Sequence, residues 1–257
     1  MGLTTLVTGS GEPVTLVAHG LGASLAETRP LVSGVRGTRV LVQARGHGTS
    51  PLPVRPGYGE QADDLLAVAD EQDATQALGV SMGAGALLRL LSHRPDRFAR
   101  VVLFLPASVD KAVDEQHQDE AVRRVAALSG ALLARDAPAV EAAVRLELPA
   151  DLDGPAVAAY VHARTAFLLD SPGLPDLLAA LPQDRPVHDR SALAAVTADV
   201  LLLAQEGDPL HPAQVARELA ALLPRARLVV FEQPGVLFRE RARLRELVVG
   251  HLTPGGG

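Results

Sequence analysis

Ser81 lies at the centre of GVSMG, residues 79–83, directly after a short apolar run. A serine between glycines at this spacing is typical of a nucleophile on a sharp turn from a strand into a helix. Such a turn strains the backbone and brings other chain segments close, so the flanking positions favour residues without a Cβ atom. The amides that begin the following helix would point at whatever binds beside Ser81. The motif therefore predicts a serine nucleophile.

The stretch HGLG, residues 19–22, follows another apolar run. A backbone amide just after such a strand, here that of Leu21, could join the amide of Met82 in stabilising a negatively charged carbonyl oxygen. We expect Gly20 and His19 to border the substrate pocket. For His19, a structural role in which the ring ties the loop together by hydrogen bonds is favoured over a direct catalytic role.

Four motifs together resemble the α/β-hydrolase family over nearly the whole chain. They occur in the order typical of that family, each after a run that suits a strand: HG at 19–20, RGHG at 45–48, GVSMG at 79–83 and GD at 207–208. The resemblance implies an α/β fold and a set of site residues: Ser81 as nucleophile, Leu21 and Met82 as oxyanion-hole amides, Asp208 as the acid, and Asp110 as a second acid position that some members use.

The resemblance also implies a histidine in the loop after the last strand. Here that loop reads EQPGVLF, residues 232–238, and the histidine typical of the family would fall at or beside Val236. A serine hydroxyl is a poor nucleophile unless a base within hydrogen-bond reach takes its proton. The sequence therefore predicts against ordinary ester hydrolysis by the standard triad, and Val236 is expected to border the pocket instead.

Another histidine could supply the base. His211 comes three residues after Asp208, near the predicted strand ends, although a polar residue that merely flanks a helix is the competing interpretation. His162 and His188 lie in or near a predicted helical insertion and could fold over the site. The remaining candidates are interpreted as a loop-fixing residue, His47, and as exposed residues, His93 and His117.

The elements that must position these residues alternate along the chain. Short runs rich in Val and Leu suit the interior strands of a parallel sheet; they cover residues 14–18, 38–43, 75–80, 100–105, 199–204 and 227–231. Segments of helical period lie between them, at residues 60–72, 82–94, 212–223 and 239–252. This alternation predicts a doubly wound, mostly parallel sheet. The first segment is instead predicted to form a hairpin that turns at Gly9, Ser10 and Gly11.

The alternation stops between residues 107 and 190, where only amphipathic helical patterns occur. We therefore predict a core of residues 1–106 and 191–257, interrupted by a helical insertion at 107–190. The family resemblance implies that this insertion is a lid over the pocket. Residues 253–257, with the sequence TPGGG, are expected to fray.

Composition excludes several classes of function. The net charge of −6 and the absence of a basic cluster give no footprint for nucleic acid. There is no cysteine, no histidine spacing typical of a metal site and no GxGxxG fingerprint, so we expect neither a metal nor another cofactor. No apolar run approaches the length of about 18 residues that a membrane helix needs. The start of the sequence lacks the features of a signal peptide. A cytoplasmic protein with no membrane or nucleic-acid partner is expected, and its oligomeric state is left open.

Three functions from different classes remain at this point. The first is an enzyme that acts on a small, largely apolar carbonyl compound, such as an ester, thioester or lactone, with Ser81 as nucleophile and an atypical or missing base. The second is a non-hydrolytic cyclase, lyase or isomerase, in which the oxyanion hole polarises a carbonyl group. The third is an inactive protein that keeps the pocket for binding a small molecule.

Overall fold

The structure is a computed structural model that describes residues 2–106, 115–208 and 210–253, with the backbone alone for residues 115–121. Its strands are β1 (Thr4–Gly9), β2 (Val14–Ala18), β3 (Thr38–Gln43), β4 (Gln76–Val80), β5 (Arg100–Phe104), β6 (Asp199–Gln205) and β7 (Ala226–Phe231). They form one sheet in the order β1, β3, β2, β4, β5, β6, β7. All neighbouring pairs are parallel except β1 with β3.

The apolar runs become the interior of this sheet. Strand β2 is buried along its whole length, and β4, β5 and β6 are buried except at one terminal residue each. Strands that are apolar on both faces need cover on both sides, which flanking helices provide. Because parallel strands end at the same edge of a sheet, the loops after β2, β4, β6 and β7 meet there.

The predicted hairpin between the first two strands is wrong. Strand β1 pairs antiparallel with β3, from Thr4 opposite Gln43 to Gly9 opposite Thr38, while β2 lies between β3 and β4. The burial pattern gives the reason, because β1 alternates between partly buried and exposed residues. Such a strand suits an edge, whereas the wholly buried β2 requires a neighbour on each side.

Helices cover both faces of the sheet. They are α1 (Leu25–Thr28), α2 (Tyr58–Glu71), α3 (Met82–His93), α8 (Ala213–Leu222), α9 (Val236–Arg239) and α10 (Arg241–Leu252). Helices α2, α3 and α8 contribute to one buried apolar cluster, and α9 and α10 contribute to a second cluster that includes other strand residues. The predicted doubly wound, mostly parallel architecture is therefore confirmed.

Between β5 and β6 the described chain is helical. It contains α4 (Glu115–Leu133), α5 (Ala137–Leu146), α6 (Pro155–Leu169) and α7 (Leu174–Ala180), which share a separate apolar cluster. The expected start of the insertion at residue 107 and most of the terminal tail lie outside the described residues, as does Asp110. None of the helices in the described ranges is long and apolar enough to cross a membrane. The role of the insertion as a lid stays a prediction.

Candidate active site

Ser81 occupies a strained turn between β4 and α3. Its backbone has a φ of 48° and a ψ of −107°, in a region that residues other than glycine rarely adopt. A Cβ atom on Gly83 would lie 2.5 Å from the carbonyl oxygen of Ala18, and one on Gly79 would lie 2.6 Å from that of Gly83. The close approach of β2 and α3 therefore explains Gly83, and the close approach of β4 to the first turn of α3 explains Gly79. The Ser81 amide donates a 2.9 Å hydrogen bond to the Phe104 carbonyl of β5, which fixes the turn to the sheet.

The loop after β6 brings an imidazole to this serine. The distance between Ser81 Oγ and His211 Nε2 is 2.7 Å. On the other side of the ring, His211 Nδ1 lies 3.3 Å from Asp208 Oδ1. If Ser81 donates to Nε2, Nδ1 carries the ring proton and points it at the carboxylate. The three side chains thus form a chain of hydrogen bonds in the order serine, histidine, aspartate.

Asp208 accepts more than the His211 ring. Its Oδ1 also accepts the backbone N–H groups of Leu210, at 2.8 Å, and of His211, at 2.9 Å. Its Oδ2 accepts the Gln205 side-chain amide at 2.7 Å. Burial alone would raise the pKa of Asp208, but His211 and the hydrogen bonds from Gln205 and Leu210 lower it to about 2. Asp208 is therefore ionised at neutral pH and fixed in orientation by its own loop.

The two amides predicted for an oxyanion hole border the same cavity as the serine. Within the described part of the chain, neither the Leu21 N–H nor the Met82 N–H has a protein acceptor. Gly20 lies against the serine, since a Cβ atom built on it would be 3.5 Å from Ser81 Cβ. Two unpaired amides beside a nucleophile are what a developing oxyanion requires.

His19 lies behind this loop rather than in the pocket. Its Nε2 accepts the Ala44 backbone N–H at 2.9 Å, so its proton is on Nδ1, which donates to the Gly20 carbonyl at 2.7 Å. Burial lowers the pKa of His19 to about 4, which keeps the ring neutral. Of the three residues expected to border the pocket, Gly20 and Val236 line the cavity, and His19 is not among the described residues that do. The loop-tying interpretation fits these contacts.

Val236 begins α9 at the position where the family resemblance called for a histidine. Its side chain is 1% exposed and packs in the apolar cluster with Phe231 and Leu244. Its backbone N–H donates to Gln205 Oε1 at 3.1 Å. Gln205 therefore bridges the loop after β7 to the Asp208 carboxylate.

The other histidines lie away from the serine wherever their side chains are described. His162 and His188 are exposed, and neither borders the cavity. His47 is buried, and its Nε2 accepts the Gly22 N–H at 2.9 Å, as its predicted loop-fixing role requires. His93 is exposed, and the side chain of His117 lies outside the described residues.

The cavity beside Ser81 has a volume of about 630 Å³ and a largely apolar lining. Its apolar residues come from both the sheet region and the helical insertion; they include Met82, Val236, Leu128, Leu168, Leu174 and Leu178. The polar groups that line it include Tyr58, Glu27 and Arg164. Such a lining suits a small apolar molecule that a few polar contacts orient.

Two residues with contacts at this site were not identified from the sequence. Gln205 ends a buried strand, and a polar residue that closes an apolar run was the available signal. Arg164 is buried in α6 and donates to the Leu21 and Gly22 carbonyls, at 3.2 and 3.0 Å. No local pattern distinguishes it from the other arginines of the helical insertion.

Comparisons with known proteins agree with this fold. A family model described as the alpha/beta hydrolase fold matches residues 13–237. The chain is similar to an esterase from Exiguobacterium antarcticum, with a TM-score of 0.81 and 22% identity over 97% of this chain and 95% of that chain. An enol-lactonase from Burkholderia xenovorans gives a TM-score of 0.81 and 20% identity, with 98% and 96% covered. A meta-cleavage product hydrolase from Pseudomonas fluorescens gives 0.77 and 17%, with 97% and 93% covered. At these identities the three likenesses show a shared fold.

Proposed function

The chain belongs to the α/β-hydrolase family, and we propose that it is a serine hydrolase whose base, His211, lies on the same loop as its acid, Asp208. In this proposal Ser81 is the nucleophile, and the amides of Leu21 and Met82 form the oxyanion hole. The position after β7 where the family resemblance implied a histidine is filled by Val236, and the protein does not depend on it for a base.

The observation that carries the proposal is the 2.7 Å distance between Ser81 Oγ and His211 Nε2. At this distance the hydroxyl can transfer its proton to the imidazole while Oγ attacks a carbonyl carbon. The resulting imidazolium is stabilised by Asp208, whose low pKa keeps it negatively charged across the neutral range. The expectation from the missing histidine, that ordinary triad chemistry would fail, thus gives way to a triad with a relocated base.

The proposed reaction uses these residues, the substrate and water. Attack by Ser81 forms a bond from Oγ to the carbonyl carbon, and the carbonyl oxygen becomes an oxyanion that accepts the Leu21 and Met82 N–H groups. Collapse breaks the bond to the leaving group, which takes the proton from His211 Nε2 and departs. Water then attacks the acyl-serine, giving its proton to the same nitrogen, and the acid product leaves as Ser81 regains its hydrogen.

We propose small, largely apolar esters, thioesters or lactones as the substrate class. Support comes from the cavity of about 630 Å³ and its leucine-rich lining. The fold relatives named an esterase, an enol-lactonase and a meta-cleavage product hydrolase are consistent with carbonyl chemistry of this kind.

The first test is turnover of p-nitrophenyl acyl esters by the native chain, Ser81→Ala and His211→Ala, together with labelling of Ser81 by a fluorophosphonate probe. Loss of any triad member typically leaves only the acceleration that binding and the oxyanion hole provide. We therefore expect both variants to lose at least about 10³-fold in kcat, and labelling to require His211. His188→Ala is the matched control, because His188 is exposed and does not line the cavity.

The results separate the three classes of function. If His211→Ala keeps a kcat within twofold of the native value, His211 is not the base. Turnover that Ser81→Ala weakens without abolishing would favour the non-hydrolytic enzyme. A native chain that binds small carbonyl compounds but neither reacts with the probe nor turns over any ester would be a binding protein.

A further inference from the structure

The loop of residues 20–22, here called the oxyanion loop, is held by three buried side chains. His19 donates to the Gly20 carbonyl at 2.7 Å, and His47 accepts the Gly22 N–H at 2.9 Å. The third side chain, Arg164, is the one that comes from the helical insertion. It lies 142 residues from Gly22 in the sequence, so its contact is set by the tertiary fold.

Arg164 uses both terminal nitrogens of its guanidinium in the same way. Nη1 donates to the Gly22 carbonyl at 3.0 Å and to Glu27 at 3.1 Å. Nη2 donates to the Leu21 carbonyl at 3.2 Å and lies 3.0 Å from Glu147. These two nitrogens therefore make three hydrogen bonds and one close ion pair, with two carbonyls and two carboxylates as partners. A planar guanidinium can span such a set, whereas a lysine ammonium cannot.

These contacts fix the peptide groups on both sides of Leu21. The Leu21 N–H belongs to the peptide group whose carbonyl, on Gly20, accepts from His19. The next peptide group has its carbonyl on Leu21, held by Arg164, and its N–H on Gly22, held by His47. Because a peptide group is planar, holding both groups fixes the direction of the Leu21 N–H.

We propose that Arg164 is a positioning residue that aligns the Leu21 amide for the oxyanion and couples the helical insertion to the reaction. This inference rests on the proposed hydrolase function. The coupling runs through Arg164 itself in α6, and through Glu147 in the segment after α5. Glu27, in α1, anchors the guanidinium to the core side of the site.

The charge of Arg164 is already balanced by carboxylates, so Arg164 is not available to bind an anionic substrate. Its side chain is 8% exposed, and its charge is opposed by Glu27 and Glu147. Its Nε is buried without a hydrogen-bond partner among the described residues. Burial would lower the pKa of Arg164, but the carboxylates around it raise the pKa above its ordinary value, so the guanidinium stays charged. A buried ion cluster of this kind is weak as a source of stability, which fits a role in geometry.

The test compares Arg164→Lys with the native chain in kcat, in KM and in inhibition by an alkylboronic acid, which forms a tetrahedral adduct on serine. A misaligned oxyanion donor weakens the transition state more than the bound ester. We expect kcat to fall about 10–100-fold, less than for outright loss of a donor, with KM within about threefold. The boronate inhibition constant should rise by the same factor as kcat/KM falls. Arg89→Lys is the matched control, because Arg89 is also buried and paired with an aspartate, Asp184.

A second readout does not depend on activity. Amide hydrogen exchange of a peptide covering the oxyanion loop should become at least tenfold faster in Arg164→Lys and stay unchanged in Arg89→Lys. If Arg164→Lys fails to fold, Glu147→Gln takes its place, since it loosens Nη2 alone; kcat should then fall severalfold at constant KM.

Two failures would be distinguishable. A native chain that neither hydrolyses esters nor reacts with the fluorophosphonate defeats the proposed function, and the exchange readout still decides whether Arg164 holds the loop. An active native chain with unchanged kcat in Arg164→Lys, or in Glu147→Gln where that variant replaces it, overturns the positioning role. A loss confined to KM would make Arg164 a substrate-binding residue instead, and unchanged exchange of the oxyanion loop would also overturn the proposal.

Discussion

At the scale of single residues, Asp208 and His211 form a compact unit because they are three positions apart. The carboxylate accepts the His211 backbone N–H as well as approaching its ring. Asp208 therefore holds His211 at two points, the backbone N–H and the ring Nδ1. In the arrangement that the family resemblance implied, the acid and the base lie on loops after different strands, and their separation depends on the whole sheet.

Gln205 links the pair of Asp208 and His211 to the loop after β7, and replacing it gives a specific prediction. Gln205→Leu keeps the side-chain volume but removes the donor to Asp208 Oδ2 and the acceptor of the Val236 N–H. The carboxylate becomes free to turn away from His211, so kcat should fall at least about tenfold, as for loss of one hydrogen bond to a charged group. The unpaired buried amide should cost about 1–3 kcal/mol in the free energy of unfolding. Steady-state kinetics and urea denaturation measure the two effects.

Gln76→Leu is the matched control for that prediction. Gln76 is also buried and hydrogen-bonded, to Thr15, but it begins β4 at the opposite end of the strand from Ser81. It should lose stability on a similar scale while kcat stays within twofold. Equal kcat in the native chain and in Gln205→Leu would mean that the backbone amides of the loop suffice to orient Asp208.

At the scale of elements, the turn from β4 into α3 depends on the close approach of β2. The Gly83 N–H donates to the His19 carbonyl at 3.1 Å, so α3 begins directly against the loop that follows β2. This contact aligns the Met82 amide with the oxyanion loop. The strained Ser81 backbone is therefore held from both ends, by the sheet and by the helix.

Gly83→Ala tests this packing. The added methyl group would lie 2.5 Å from the Ala18 carbonyl oxygen, closer than any real contact, so α3 or β2 must shift. We expect a loss of about 1–3 kcal/mol in unfolding free energy, typical of an overpacked core, and a fall in kcat because Ser81 and Met82 move. Gly130→Ala is the control, because nothing lies within 4 Å of its added methyl group. In helix α4 that change should stabilise the protein by up to about 1 kcal/mol. Similar stability of both variants would contradict the packing argument.

Strands and helices could be predicted from the sequence wherever their pattern was local. Strand β6 was expected at residues 199–204 and is observed at Asp199–Gln205, because an uninterrupted apolar run has few alternatives to a buried strand. The pairing of β1 with β3 could not be predicted from the sequence. The Gly-rich turn after β1 predicted a hairpin with β2, whereas the wholly buried β2 needs an interior place in the sheet. Strand order depends on which faces are buried in the whole sheet.

The candidate site could be predicted from the sequence only in part, because some of its contacts join residues far apart in the chain. The strand, turn and helix around Ser81 are neighbours in sequence, so GVSMG carried enough information. His211 and Ser81 are 130 residues apart, and the orientation of the ring depends on how Asp208 caps its own loop. Arg164 donates to the Gly22 carbonyl 142 residues away, a contact that leaves no local pattern, and Gln205 is marked in the sequence only as a polar residue that closes an apolar run.

At the scale of the whole molecule, the loops of the site meet over a pair of buried imidazoles. The rings of His19 and His47 are in edge contact, with centroids 4.6 Å apart. Each ring joins the oxyanion loop to the segment after β3, through Ala44 for His19 and Arg45 for His47. Burial lowers the pKa of both rings, so both are neutral in the folded protein at physiological pH.

These two histidines predict how global stability responds to acid. In the unfolded chain a histidine has a pKa of about 6.5, whereas in the folded protein the pKa of His19 is about 4. As pH falls below 6.5 the unfolded state takes up a proton that the folded state refuses, so the free energy of unfolding decreases. Between pH 6.5 and pH 4, His19 alone should account for a loss of about 3 kcal/mol, from about 1.4 kcal/mol per pKa unit.

Guanidinium denaturation at pH 7.5, 5.5 and 4.5 measures this loss. His19→Asn should be less stable at pH 7.5, because the hydrogen bonds to the loop are disturbed, yet its stability should fall less steeply with acid. His93→Gln should keep the native slope, because His93 is exposed. Asp208 titrates in a separate, lower window: its folded pKa of about 2 is depressed, so its contribution disappears only below about pH 4. If His19→Asn leaves the slope of unfolding free energy against pH unchanged between pH 6.5 and 4.5, groups other than His19 govern acid unfolding. The buried imidazole pair would then take up protons without opening the site.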